Sequence, residues 1–137
     1  MPVRQEVGHA AAWRIVDAIA EALNIRGVGA AVAVVDPHGE LVAFLRSDGC
    51  PLASINNAVN KAFGSAREGV PSAVLGERSR NGNFPLAYFG DPRYIGWGGG
   101  LPIIIDDEVV GAVGVSGLTS EEDIELAEIG LAVVTDE

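Results

Sequence analysis

The sequence predicts a single α+β domain in which an antiparallel β-sheet is flanked by helices. Three observations carry that expectation. Two short apolar runs are each followed, across a turn, by a second one, as in β-hairpins. Apolar residues at spacings of three and four mark helices before, between and after them. The chain has 137 residues, 48% hydrophobic and 20% charged, which suits one domain with one core over residues 1–137.

In chain order, residues 5–24 read as a helix. Trp13, Val16, Ala20 and Leu23 form an apolar stripe, and Arg14, Asp17 and Glu21 share another face. Gly27 and Gly29 end it, and residues 28–35 follow as a short β-branched strand. Asp36-Pro37-His38-Gly39 is turn chemistry, because Pro pre-sets a negative φ and Gly accepts a positive one. Residues 41–45 then read as the returning strand. Pro51 can open a second helix, with Leu52, Ile55, Val59 and Ala62 as its apolar stripe. Asn57, Lys61 and Ser65 lie together on a different face of it. A shorter helix is expected from Ser72 to about Arg80.

Residues 81–100 look irregular, because Gly, Pro and Asn break any period. Five of the eight aromatic residues fall in this stretch: Phe84, Tyr88, Phe89, Tyr94 and Trp97. A loop of that length in a small domain is often functional. Residues 101–105 and 109–115 form the second hairpin around Asp106-Asp107-Glu108. The last helix starts at Thr119. Thr119 and Glu122 have capping-box spacing, and an acidic first turn suits the positive end of the helix dipole. Ile124, Ala127 and Leu131 are its expected core residues.

Charge placement narrows the partners. Ten of the nineteen acidic residues and none of the nine basic ones lie from Asp106 onward. Nearly a quarter of the chain would therefore repel nucleic-acid phosphates and anionic lipid, and no basic stripe offsets it. No nucleic-acid and no membrane partner is expected, and the apolar runs are far shorter than a bilayer span. The opening residues lack a basic start followed by an apolar stretch, so no signal peptide is expected and the cytoplasm is the natural compartment. Cys50 is the one cysteine, which excludes an intrachain disulfide. Its neighbours supply no obvious base, so it reads as a small structural residue.

Several catalytic signatures are absent. Gly114-Val115-Ser116-Gly117-Leu118 is not a nucleophile elbow, because Leu118 stands where the last glycine belongs. No Walker or dinucleotide glycine pattern is present. Two histidines, His9 and His38, and one cysteine do not make a zinc site within one chain. His9 lies in line with Trp13 on the first helix, where an imidazole could ligate heme iron or form an ordinary hydrogen bond at a core edge. Gly98-Gly99-Gly100 and the Ser116–Thr119 junction could each present backbone N–H groups to an anion, or simply connect elements tightly. Lys61, Arg46, Arg67, Arg78, Arg80 and Arg93 could face a carboxylate ligand or pair on the surface.

Residues 31–63, AVAVVDPHGELVAFLRSDGCPLASINNAVNKAF, and residues 98–130, GGGLPIIIDDEVVGAVGVSGLTSEEDIELAEIG, carry a resemblance. They resemble the two signatures of the GlcG/HbpS-like heme-binding family, which is related to the C-terminal domain of PduO. Together they cover nearly half of the chain in the family's order. The resemblance implies a profilin-like fold and homo-oligomers. It also implies heme binding in some members, described in some as heme degradation. In PduO-like members a first-helix histidine ligates heme, so the resemblance gives His9 the role of iron ligand. With it go Tyr88, Tyr94, Trp97, Gly99, Gly100, Ser116 and Thr119 as residues expected around the cofactor.

Three functions follow as expectations. The first is a cytoplasmic heme-binding protein whose porphyrin lies against apolar and aromatic side chains. The second is a small catabolic enzyme acting on an organic acid or aromatic compound. There Lys61, Asp36, Arg46 and Ser116 would be the acid/base or anion-holding candidates. The third is an oligomeric accessory protein without chemistry of its own.

Overall fold

The computed structural model describes residues 3–135. Its elements run α1 (His9–Arg26), β1 (Ala31–Val35), β2 (Leu41–Arg46), α2 (Ser54–Glu68) and α3 (Ser72–Asn81). A short 3-10 helix (Leu86–Phe89), β3 (Gly100–Ile105), β4 (Glu108–Ser116) and α4 (Ser120–Thr135) follow. The four strands form one antiparallel sheet in the order β2-β1-β4-β3. The two hairpins thus meet through β1 and β4, with Val32 opposite Val115 and Val34 opposite Val113. Pro102 is tolerated because β3 is an edge strand, where a missing N–H interrupts no ladder.

Side chains alternate across a strand, so the sheet has two apolar faces. Val32, Val34, Val113 and Val115 pack against α1 and α4, on Ile15, Ile19, Leu126 and Ala127. Ala31, Ala33, Val35 and Ala112 pack against α2, on Ala58, Ala62 and Ala66. The result is three layers, with α1 and α4 on one face and α2 on the other.

α2 differs from its sequence reading. The residues it buries are Ser54, Ala58, Lys61, Ala62, Phe63, Gly64, Ser65 and Ala66. Leu52 precedes the helix and is exposed, while Ile55 and Val59 are only partly covered. The cause lies in the sheet. A Cβ on Gly114 would collide with the Ala58 carbonyl, and one on Gly100 with the Lys61 carbonyl. Glycines in β4 and β3 let the α2 backbone settle almost onto the strands, where only small side chains fit between them.

α1 starts later than the periodicity predicts. Val7 donates its N–H to the Val110 carbonyl at 2.8 Å, so the chain first runs beside β4 where β1 has ended. The buried stripe is Ala12, Ile15, Val16, Ile19 and Leu23. His9 and Trp13 lie outside it, and Trp13 is 52% exposed. On α4 the capping residue is the expected one: Thr119 Oγ1 accepts the Glu122 N–H at 3.2 Å. The buried face is Asp123, Leu126, Ala127 and Gly130, while Ile124 and Leu131 are half-buried.

Candidate functional site

The site forms where α2, α4 and the open ends of β3 and β4 converge. Lys61 comes from the sheet-facing side of α2. Its Nζ donates to the Val115 carbonyl at 2.9 Å and to Asp123 Oδ2 at 3.0 Å. Both side chains are 3% exposed. Asp123 Oδ1 in turn accepts the Leu118 N–H at 3.1 Å, which ties the start of α4 to the pair. The crossing requires glycine at the start of β3. A Cβ on Gly99, whose φ is +129°, would press on the Val115 carbonyl and on Lys61 Nζ. Ser72 fixes the same segment, donating to the Trp97 carbonyl at 2.7 Å and accepting the Gly100 N–H at 2.8 Å.

Burial acts on both charges. It pushes the Lys61 ammonium down from its usual range and the Asp123 carboxyl up, while their mutual attraction opposes both movements. Beside the pair lies a polar chamber of about 320 Å³, lined by Ser54, Asn57, Lys61, Ser116, Ser120 and Asp123, with Trp97 and the Gly117-Leu118 backbone completing it. Neither the Ser54 nor the Ser116 hydroxyl has a hydrogen-bond partner among the described residues; both residues are largely buried, and their hydroxyls open into the chamber.

A second, more apolar chamber of about 470 Å³ adjoins the first. Leu86, Tyr94, Ile95 and Trp97 line it, with Arg80 and Ser79 at its polar side. Asn57 and Trp97 belong to both chambers and mark where they meet. The long loop does less here than its composition promises. Phe89 stacks on Tyr94 at 4.1 Å, and Tyr94 meets Phe63 edge-on at 5.3 Å. Those rings fasten the loop to α2, leaving Tyr94 and Trp97 as the aromatic walls of the cleft. Tyr94 also donates to Glu68 Oε2 at 3.3 Å. Burial and that carboxylate raise its phenol above the usual range.

The structure brings together only part of the predicted set. Lys61, Ser116, Tyr94 and Trp97 line the cleft, and Gly99 and Gly100 shape its floor. Tyr88 is 86% exposed on the 3-10 helix and lines neither chamber. Thr119 is exposed, and its hydroxyl is used in the α4 cap. Asp36 sits at the far end of β1, where its Oδ1 accepts the His38 and Glu40 N–H groups and builds the turn. Arg46 is exposed at the end of β2. His9 is exposed at the first residue of α1, in the layer opposite α2. Cys50 is buried and donates to the Pro51 carbonyl at 3.2 Å, and burial raises its thiol above the ordinary range.

Arg80, one of the basic residues that could face a carboxylate, lines the cleft, and Asp123 and Ser54 complete it without having been singled out as ligand-facing. Asp123 was hidden in an acidic first turn that already had a reason to be acidic, the helix dipole. One signal did exist: Lys61 is the chain's one lysine and lies among Ala58, Ala62 and Ala66. A cation on a face of small residues needs a buried partner. Among the described residues, no group of three or more His, Cys, Asp and Glu could hold a metal ion. No helix there is long and apolar enough to cross a membrane.

A four-stranded antiparallel sheet between two helical layers places the chain in the α+β class, with this cleft at one end. Sequence and structure comparisons agree on the family: the family described as haem degrading protein HbpS-like matches residues 7–132, and the chain belongs to it. It is 35% identical over 125 residues to an uncharacterized 15.0 kDa protein of Citrobacter freundii, covering 89% of this chain and 87% of that one. Against protein GlcG of Escherichia coli K12 it is 33% identical over 92 residues, or 62% of each chain. Klebsiella pneumoniae protein ORFY superposes with a TM-score of 0.93 at 29% identity, over 100% of this chain and 96% of that one. A double mutant of Streptomyces reticuli HbpS superposes at 0.89 and 27% identity, over 98% and 90%. The crystal structure of a PduOC:heme complex shares the fold, with a TM-score of 0.87 at 22% identity, over 94% and 95%.

Proposed function

We propose that this protein binds heme as a cytoplasmic member of the HbpS-like family. The observation that carries the reading is the apolar chamber, whose exposed Trp97 and adjoining Tyr94, Leu86 and Ile95 offer flat apolar surface to a porphyrin. Apolar burial would supply most of the affinity, at about 25 cal/mol per Å² covered. Arg80 and Ser79 stand at the polar side, where a propionate would be met. The family description and the heme-bound PduOC structure support the same ligand.

The residues fit the ring better than the iron. Neither chamber is lined by His, Cys or Met, and the Tyr94 hydroxyl is engaged with Glu68. His9 lies in the opposite layer, so within one chain it does not reach this cleft. An iron–His9 bond therefore requires a second copy of the chain, which makes homo-oligomerisation part of the reading. When bound, the iron would supply ligation and a spectral signature, and this chain's residues would hold and orient the ring.

The test is a hemin titration of the purified protein followed in the visible spectrum. A saturable Soret band displaced from that of free hemin, and weakened in Trp97→Ala, is the expected result. A spectrum that remains that of free hemin at every ratio would overturn the proposal.

A further inference from the structure

We infer that the polar chamber beside Lys61 is a carboxylate-binding site, taking the head group of a small organic acid whose apolar tail lies over Trp97 in the neighbouring chamber. The head-group chamber is not the one assigned to the porphyrin, although the tail shares its apolar wall, and the site needs neither iron nor a second copy.

The charges of the chamber are already matched within the protein. Lys61 and Asp123 neutralise one another, and Asp123 is further satisfied by the Leu118 N–H. What remains is a surplus of donors. An ammonium has three N–H bonds, and Lys61 uses two of them, on Val115 and Asp123. Ser54 and Ser116 are 6% and 5% exposed, line the chamber, and have unpartnered hydroxyls among the described residues. Their hydroxyls are not sealed off but open into the chamber, so two donors free of protein partners meet whatever fills it, which suits an occupant that accepts hydrogen bonds.

The start of α4 adds to this. Its cap uses the Glu122 N–H, and Asp123 N–H bonds the Thr119 carbonyl. Among the described residues the N–H groups of Ser120 and Glu121 have no hydrogen-bond partner at the positive end of a sixteen-residue helix, and Ser120 lines the chamber. The nearby acidic side chains do not close the site: Glu122 accepts from the Thr119 hydroxyl at 2.9 Å, and Glu121 is exposed. A donor-rich, charge-neutral cavity at a helix N-terminus suits one carboxylate better than a cation or a dianion.

The tail follows from the junction. Trp97 and Asn57 border both chambers, so a head group seated by Ser116 is followed by the indole, Ile95, Tyr94 and Leu86. An acid carrying a short aliphatic or aromatic tail uses both chambers; inorganic phosphate or acetate uses only one.

The experiment is an amide and indole NMR titration of the hemin-free protein with 3-phenylpropionate, 3-phenylpropanol and inorganic phosphate. Saturable 3-phenylpropionate shifts are expected at Ser54, Ser116, Ser120 and the Trp97 indole, with binding at least ten times weaker for the alcohol and for phosphate. The Ser54→Ala/Ser116→Ala double variant should bind 3-phenylpropionate at least ten times more weakly. Its melting temperature should be nearly unchanged, because the two hydroxyls open into the chamber and hold no other part of the protein. Equal binding of the alcohol would overturn the head-group assignment, and equal binding of phosphate the tail. Undiminished binding by the double variant would overturn the site. Hemin titrated into the same variant separates the two readings: retained hemin binding with lost acid binding is the expected pattern. Acid binding in a protein that never binds hemin would remove the heme reading and leave this one standing.

Discussion

Lys61 Nζ lies 3.0 Å from Asp123 Oδ2, across 62 residues of sequence and between the two helical layers of the fold. Lys61→Met leaves the Asp123 carboxylate buried and unpaired, so unfolding in urea should show a loss of roughly 3–5 kcal/mol. Lys61→Met/Asp123→Leu should recover most of it. The pH dependence has a definite sign. Burial already raises the Asp123 carboxyl, and losing Lys61 raises it further. Between the unfolded and folded values the native state then holds more protons, and its stability falls as pH rises. The single variant should therefore be less handicapped at about pH 5 than at about pH 8. A loss under about 1 kcal/mol, with no pH dependence, would mean that the pair is hydrated in solution.

Gly100→Ala should be among the most damaging small substitutions in the chain. Its Cβ would enter the Lys61 backbone carbonyl, which cannot swing aside as a side chain can. Gly99→Ala and Gly117→Ala add positive φ, +129° and +146°, to close backbone or side-chain approaches. Each should cost well over the roughly 1 kcal/mol of an ordinary substitution. Gly27→Ala is the control: φ is +68°, but nothing lies within 4 Å of the added atom. It should cost about 1 kcal/mol. Thermal melts that rank Gly27→Ala as the worst of the four would refute this account.

The order of elements could be read from the chain because its signals are local. Asp36-Pro37-His38-Gly39 makes its turn through hydrogen bonds within five residues, and Thr119 caps α4 through Glu122. The buried face of α2 could not be read this way. It is set by Gly100 and Gly114, which lie on other strands and whose effect appears only when the helix is laid on them. The same distance hid Asp123, which looks like any other acidic first-turn residue until Lys61 arrives from α2. On α1, HAAAWRIVDAIAEAL contains two overlapping apolar stripes. Packing selected Ile15 and Ile19, which left Trp13 and His9 outside.

Asp91 should make the protein more sensitive to acid. Its carboxylate accepts Arg93 Nε at 3.1 Å and Nη2 at 2.9 Å, holding the guanidinium 3.8 Å above the Phe63 ring. Those hydrogen bonds from Arg93 pull the carboxyl below its ordinary value of 3.8. A depressed carboxyl stabilises the fold above the unfolded value, and that contribution is lost as pH falls through the folded one. Asp91→Asn should therefore melt below the parent near neutrality, with the gap closing as pH drops below 3.8. A gap that persists unchanged in acid would assign the effect to shape and not to charge.

Self-association is expected from the surface. β2 and β3 are open sheet edges, and Leu41 and Ile104 on them are exposed. Trp13 adds uncovered apolar area on α1. Light scattering should give a multiple of 14.2 kDa, and a solution holding only the 14.2 kDa species at micromolar concentration would refute this.

In the proposed heme complex, His9 of a second copy would be the residue to hold the iron. It is exposed at the start of α1, one turn before the half-exposed Trp13, so its imidazole is available to a neighbour without disturbing the core. His9→Ala should leave the melting temperature of the heme-free protein nearly unchanged, since surface substitutions shift stability by only about 0.5 kcal/mol. With hemin bound, the same substitution should displace the Soret band and speed heme transfer to a scavenging apoprotein, because an iron–nitrogen bond has been lost. Trp97→Ala should act differently, weakening hemin uptake through lost apolar contact while the Soret position of the remaining complex stays the same. The two variants thus separate ligation from ring burial. A Soret band and off-rate identical to the parent in His9→Ala would remove His9 as the iron ligand, and a monomeric protein that still showed the His9 effect would remove the requirement for a second copy.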